Sequence, residues 1–422
     1  MSASNASTAP SAVFQTANPH ALATILDAAQ TRSIIASRDI FDLGGTKLWA
    51  RDQPVSQALQ RKLMDRQLRH PLEACLLAED GVTAHSLVHA LEALLSRDSA
   101  IAPLLMPHAA ALLREAPHLP LHPVAQLLLT ASQAARAEAF DHAVKAMALN
   151  GALSIAHGAN RQDVRLAMLA GLLHDLGEMY IAPEHGEADI QHTLDFQSYQ
   201  HLVVHPHVGR LLIDQLTDYP KIVARAVAEH HERLDGSGYP HCLTREQLSP
   251  QGRQLAVTEA VLNVLRSDCP DLARASVALR VVPGEFDLSV VGPVSQAARL
   301  QPPLQSFLTP EEIRVRLSLL DAALQTAHAG IVALASTAQS QALMDALTLA
   351  QGLLARLRKG WATSGLWSDG ELAVQDLAEV EAVEQELLFR LRAIRSATLL
   401  RAGKLPAGDL QSLQILGEQL GA

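Results

Sequence analysis

His230-His231-Glu232-Arg233-Leu234-Asp235-Gly236-Ser237-Gly238-Tyr239-Pro240 is the stretch that decides how this chain is read, together with His174-Asp175-Leu176-Gly177 fifty-six residues before it. Each sets metal-binding side chains at the end of an apolar helical run, Ile222 to Ala228 for the first and Leu166 to Leu173 for the second. Neighbouring residues on a helix point about 100° apart. His174 and Asp175 therefore converge on one centre only where a helix ends. There a carboxylate can bridge two ions while a neutral imidazole binds one. Two adjacent imidazoles buried without a cation would face desolvation, and mutual repulsion if protonated. Leu166, Leu169 and Leu173 share one helix face, and Asn160 is placed to cap that helix. Gly177 suits a tight turn after the His-Asp pair.

Outward from these runs, further ligand types fall into place. Ten of the nineteen histidines lie between residues 142 and 231. Glu138 and His142 stand one turn apart on one face. His205-Pro206 precedes Gly209 and another helix. Glu232 is placed to orient a neighbouring histidine from behind.

The chain has 422 residues, which predicts two or three domains. Hydrophobic residues make up 48% and aromatics only 3%, with Ala and Leu abundant, a balance that favours helix. A formal charge of −10 argues against a nucleic-acid polymer as partner. An anionic ligand would then need metal ions or a local cationic pocket. The cysteines, Cys75, Cys242 and Cys269, form no CxxC pair, so a reducing cytoplasm is expected. Met1 to Pro10 reads as a polar tail rather than a signal peptide. No continuous run of about 18 apolar residues appears, so no membrane span is expected.

The expected fold is mainly α. Residues 1–122 form an accessory region with a hairpin, strands near Ile34–Phe41 and Lys47–Trp49 turning at Gly44-Gly45, and helices at 55–68, 83–96 and 101–115. Residues 123–300 form the helical domain that holds the motifs. Residues 301–422 form a C-terminal helical bundle, with helices over 310–336, 338–359 and 370–401. Thr309-Pro310-Glu311-Glu312 is a capping box that opens the first of them. Such helices pack on themselves or serve a homodimer or signalling partner. The β-branched run Val277 to Val282 has no assignable role from pattern alone.

In order and spacing these motifs resemble the HD-GYP family, a branch of the HD-domain metal-dependent phosphohydrolases. The likeness covers roughly residues 123–290. His142 matches the first ligand histidine, His174-Asp175-Leu176-Gly177 the HDxG element, and Leu194 to Pro206 the helix leading to a His-Pro ligand. His230 to Pro240 matches HHExxDGxGYP without a gap, and Glu259 stands where the family has its last ligand, normally Asp. The resemblance implies an HD-domain helical bundle that hydrolyses cyclic di-GMP with iron- or manganese-type ions and a metal-activated water. It implies His142, His174, Asp175, His205, His230, His231 and Glu259 as ligands of two ions, Asp175 bridging and Glu138 admitting a third. His174 and Asp175 would be the catalytic pair. Asp235, Gly236, Gly238, Tyr239 and Pro240 would shape the pocket mouth, with Tyr239 exposed for contact.

Some positions depart from the family pattern, all toward negative charge. Glu178 replaces the lysine of HDxGK. The acidic segment Glu184-His185-Gly186-Glu187-Ala188-Asp189 replaces a Lys-Pro-Gly. Asp268-Cys269-Pro270-Asp271 stands in the region of an Arg-Pro-Tyr-Arg element. Carboxylates in place of cations would repel a phosphate. The expectation is thus a cyclic di-GMP phosphodiesterase, against two alternatives: an enzyme for another phosphoester, or a non-catalytic signalling or scaffold protein that still binds metal.

Overall fold

The computed structural model describes residues 14–183, 196–266, 270–306, 308–365, 376–401 and 405–421. Met1 to Pro10 and Cys269 lie outside them. The N-terminal part carries helices α1 (Pro19–Ala28), α2 (Gln57–Leu63), α3 (Ala84–Leu95), α4 (Ala102–Leu105) and α5 (Ala109–Glu115). Its strands are β1 (Ile34–Ala36), β2 (Ile40–Phe41), β3 (Lys47–Trp49) and β4 (Leu76–Ala78), in two antiparallel pairs, β1–β4 and β2–β3. The expected hairpin is the second pair. Gly45, at φ +86°, makes its turn, and Asp42 Oδ1 accepts from Thr46 N at 2.8 Å. The expected strand Ile34–Phe41 divides, because Leu76–Ala78 offers an apolar partner for Ile34 and Ala36, both of which face the core. The helix expected over 101–115 is interrupted by a 3₁₀ turn at Met106–His108, where Pro107 has no N–H to give.

Among the described residues the middle of the chain carries helices α6 (Pro123–Ala135), α7 (Ala137–Ala156), α8 (Arg161–Leu173), α9 (Phe196–Leu202), α10 (His205–Leu216), α11 (Lys221–Glu229), α12 (Pro250–Leu265), α13 (Leu272–Ala278) and α14 (Leu288–Ala298). As the sequence suggested, Asn160 caps α8, accepting from Asp163 N at 3.0 Å. α7 and α8 run in close contact because Gly171 has no side chain. A Cβ there would come within 2.4 Å of the Ala146 carbonyl oxygen.

Four helices end the chain: α15 (Pro310–Thr337), α16 (Gln341–Ser364), α17 (Leu377–Arg401) and α18 (Ala407–Gly421). The Thr309 capping box opens α15, with Thr309 N donating to Glu312 Oε2 and Glu312 N to Thr309 Oγ1. Residues 366–375, which include the expected start of α17, lie outside the described residues. By length and composition alone α15 is long and apolar enough to cross a membrane, which differs from the expectation that no segment would be. It buries Ile313, Leu317, Leu320, Leu324, Ala327 and Ile331 at helical spacing against the other bundle helices.

Two hydrophobic cores result. One runs from Phe14 to Ala298 and joins the N-terminal part to the middle helices, while the other runs from Val282 to Leu416. The unassigned stretch Val277 to Val282 closes α13, and Val282 enters the second core.

Candidate metal centre

Helix ends build the site, as the adjacent His-Asp and His-His pairs require. α8 stops at Leu173, His174 caps it, and Asp175 opens a 3₁₀ turn over Leu176–Tyr180. His205 begins α10, while His230 caps α11 with His231 next. His142 projects from α7 and Glu259 from α12. All are buried apart from Asp175, whose side chain is 11% exposed.

The ligand atoms form two groups that share one carboxylate. Asp175, His205, His230 and His231 make one, and His142, His174, Asp175 and Glu259 make the other. Asp175 Oδ1 lies 3.4 Å from His230 Nε2 and 3.6 Å from His205 Nε2. Its Oδ2 lies 3.0 Å from His174 Nε2 and 3.4 Å from His142 Nε2. Glu259 Oε2 sits 3.0 Å from His142 Nε2 and 3.1 Å from His174 Nε2. Glu138 joins neither group; it is exposed on the first turn of α7.

The residues fit divalent cations on their own chemistry. His174, His205 and His230 each direct Nδ1 at a backbone carbonyl, of Gly171 (2.7 Å), Leu202 (2.8 Å) and Val227 (2.6 Å). A carbonyl only accepts, so each Nδ1 carries the proton and each Nε2 is left to bind. Asp175 Oδ1 and Glu259 Oε1 are buried without a hydrogen-bond donor among the described residues. A buried carboxylate oxygen left without a donor is costly unless a cation answers it.

Electrostatics agree. Burial, then the neighbouring His231, push His230 down to about 3, and burial with His205 holds His231 well below the ordinary histidine range. Both are neutral imidazoles, the form that binds metal. Burial alone would raise Asp175, yet the charge of His174 and its hydrogen bond pull it well below the usual carboxylate range. Glu259 is likewise held ionised against its burial by His142 and His174. Burial disfavours charge on His174, but Asp175 and Glu259 overcome it and raise the ring well above the ordinary histidine range, so an ion at its Nε2 would displace a proton.

The supporting residues differ from the sequence reading in several places. Gly177 lies in the 3₁₀ turn Leu176–Tyr180, as expected, and is also a point of close approach. A Cβ would stand 2.0 Å from the His205 carbonyl oxygen, so its absence lets the His174-Asp175 segment lie against the start of α10. Among the described residues, Glu232 makes no side-chain contact with a histidine ring. Its carboxylate accepts from His241 N (2.7 Å) and Leu243 N (2.9 Å) and so ties down the loop after Pro240, and burial raises its pKa to about 7. Tyr239 is half-buried, its ring stacked on His231 with centroids 4.5 Å apart. Gly236, at φ +81°, makes the turn in that loop. Asp271 caps α13, accepting from Ala273 N at 2.6 Å. Residues 184–189 lie outside the described residues.

Two arginines escaped the sequence reading. Arg266 Nη2 donates to His142 Nδ1 at 2.8 Å. It lies seven residues beyond Glu259, two helical turns on, and that spacing was the available signal. Arg136 bridges to the N-terminal part, donating to the Glu178 carbonyl (3.2 Å) and Thr24 Oγ1 (3.1 Å). Burial lowers the Arg136 pKa, and the negative charge of Glu178 opposes that shift only in part.

Comparison with known proteins agrees with the geometry. Residues 132–281 match the HD domain family. A cyclic di-GMP phosphodiesterase of Pseudomonas aeruginosa is 32% identical over 149 residues, 35% of each chain. A cyclic di-GMP phosphodiesterase response regulator of Xanthomonas campestris is 32% identical over 114 residues, 27% of this chain and 29% of that one. A 3'3'-cGAMP-specific phosphodiesterase of Vibrio cholerae is 29% identical over 139 residues, 32% of this chain and 31% of that one. The chain thus spans about a third of the length of these relatives. No solved structure matches it. The matched segment contains every residue of both ligand groups, and residues 132–281 are similar to HD domains, those of cyclic-dinucleotide phosphodiesterases among them.

Proposed function

We propose that this chain is a metal-dependent phosphodiesterase that hydrolyses cyclic di-GMP at a binuclear centre of iron- or manganese-type ions. The observation that carries the reading is the sharing of Asp175 by two buried ligand groups. Similarity to cyclic-dinucleotide phosphodiesterases supports it.

His205, His230 and His231 would hold one ion and His142, His174 and Glu259 the other, with one oxygen of Asp175 toward each. When bound, such ions supply Lewis acidity to a phosphoryl oxygen and make a water acidic at neutral pH. The chain's own residues set the conditions. The backbone carbonyls of Gly171, Leu202 and Val227 fix the ring tautomers and aim Nε2 inward. With the five imidazoles neutral, Asp175 and Glu259 contribute two negative charges. This is fewer than the four positive charges that two divalent cations would bring, so these residues would leave a loaded centre attractive to a phosphodiester. Arg136 donates to the backbone carbonyl of Glu178, the carboxylate residue that stands in place of the family's lysine. The Asp235–Pro240 loop borders the centre through the stacking of Tyr239 on His231.

A related cyclic dinucleotide is the second reading, favoured by the likeness to a 3'3'-cGAMP-specific enzyme. Purified protein loaded anaerobically with iron(II), and separately with manganese, is incubated with cyclic di-GMP and with 3'3'-cGAMP. Products are followed by chromatography, with Asp175→Ala as control. Metal-dependent loss of cyclic di-GMP, absent in the control, is the expected result. Turnover of 3'3'-cGAMP alone would move the assignment to that substrate. Bound metal without turnover of either would overturn the proposed activity.

A further inference from the structure

The Asp235–Pro240 loop is anchored to helices outside the HD domain. On α16, Arg356 donates from Nε to Asp235 Oδ2 (3.2 Å) and from Nη2 to the Asp235 carbonyl (2.8 Å). The Asp235 side chain is only 6% exposed, while that of Arg356 is 36% exposed, so the carboxylate of this two-pronged pair is shielded and the guanidinium reaches the surface. The other carboxylate oxygen, Oδ1, accepts from Ser237 N (3.0 Å) and Ser237 Oγ (2.6 Å). Gly238 comes next, pressed onto the backbone of the histidine pair. A Cβ there would come within 2.3 Å of the His231 carbonyl oxygen. Tyr239 N then donates to that same carbonyl at 3.1 Å, and its ring stacks on His231.

A second tie lies beside the first. Arg390 on α17 donates to both carboxylate oxygens of Glu285, at 3.1 and 3.2 Å. The Glu285 carbonyl accepts from Leu234 N at 2.9 Å, immediately before Asp235. Two helices of the C-terminal bundle therefore grip the start of the loop, and the far end of the loop rests on a residue of the metal centre.

We propose that the C-terminal bundle couples to the metal centre through Arg356, a positioning residue that holds the Asp235–Pro240 loop against His231. A signal that shifts α16 would then reach the centre along the short loop from Asp235 to Tyr239. The geometric part stands on these contacts alone; its effect on turnover rests on the proposed phosphodiesterase activity.

The test uses the full chain, metal-loaded, as wild type, Arg356→Gln and Arg356→Lys. Backbone hydrogen exchange over residues 235–241, metal content and steady-state kinetics are measured on each. In Arg356→Gln we expect exchange in the loop to rise about tenfold, with metal content unchanged. KM for the dinucleotide rises about tenfold while kcat stays within about threefold, because the loop borders the substrate and holds no ion. Arg356→Lys, which keeps the charge but not the two-pronged geometry, restores part of both effects. Unchanged exchange in the loop would overturn the proposal. So would a rise spread over the whole chain that Arg356→Lys does not reverse. Raised loop exchange in a protein without turnover would support the coupling and count against the phosphodiesterase reading instead.

Discussion

The Nε2 atoms of His205 and His230 lie 3.1 Å apart, although both rings spend their Nδ1 protons on backbone carbonyls. Two lone pairs at that separation repel unless something positive sits with them. A proton on His230 is disfavoured, because burial and His231 push that ring down to about 3. A divalent cation would resolve the conflict, and Asp175 Oδ1 is placed to supply its negative partner.

Removing one member of this pair should empty one group and spare the other. His230→Ala is expected to bind one ion per chain fewer than wild type, and His174→Ala likewise from the other group. Elemental analysis of the loaded proteins checks both, and an unchanged ion count in His230→Ala would remove that residue from the ligand set.

Gly177 matters through what it leaves out. In Gly177→Ala a methyl group would meet the His205 carbonyl 2.0 Å away, so α10 must shift. Overpacking of this kind costs about 1–3 kcal/mol. We expect a lower unfolding midpoint in urea together with weaker metal retention in the group that contains His205. Stability equal to wild type would show that the close approach is not needed.

Arg266 presents a direct competition. Its guanidinium can only donate, so while it holds His142 Nδ1 the neutral ring carries its proton on Nε2, where an ion would bind. Ligation by His142 requires Arg266 to withdraw. Arg266→Gln is expected to raise metal affinity in the group with His174 and Glu259 by about tenfold, since a fixed positive charge nearby is also lost. Titration with manganese, read by electron paramagnetic resonance, measures this; weaker binding in the variant would refute it.

The HD core was legible because its chemistry is written in contiguous runs. His174-Asp175 and His230-His231 each sit at a helix end, and a pair of adjacent ligands has no other way to converge. The supporting contacts were not legible, since they join residues far apart in sequence. Nothing local in Gly177 points to His205, and nothing in Arg356 points to Asp235. Glu232 looked like a histidine's partner because it is next to one, yet its carboxylate turns to the amides of His241 and Leu243. The split of the strand at Ile34–Phe41 has the same origin, for Leu76–Ala78 competes from about forty residues away. Glu138 and His142 share the i, i+4 spacing of a ligand pair, but only His142 reaches the buried face of α7.

Glu115 gives the fold a pH dependence distinct from the metal centre. Burial would raise its carboxyl, but Arg161, Arg114 and Arg165 outweigh it and hold the group down at about 2. A carboxylate lowered on folding adds stability above its unfolded value near 4.5 and loses it as pH falls through that value toward about 2. The stability gap between wild type and Glu115→Gln, from urea unfolding, is therefore expected to be full at pH 7 and to close between pH 4.5 and 2. A gap that does not change over this range would mean that the charge of Glu115 contributes nothing.

The most direct test of the shared carboxylate is an ion count on protein loaded anaerobically with iron(II) or manganese, wild type beside Asp175→Ala. The account predicts two ions per chain in wild type and a loss from both groups in the variant, because one oxygen of Asp175 faces each. A single ion in wild type, or two ions undiminished in Asp175→Ala, would contradict it.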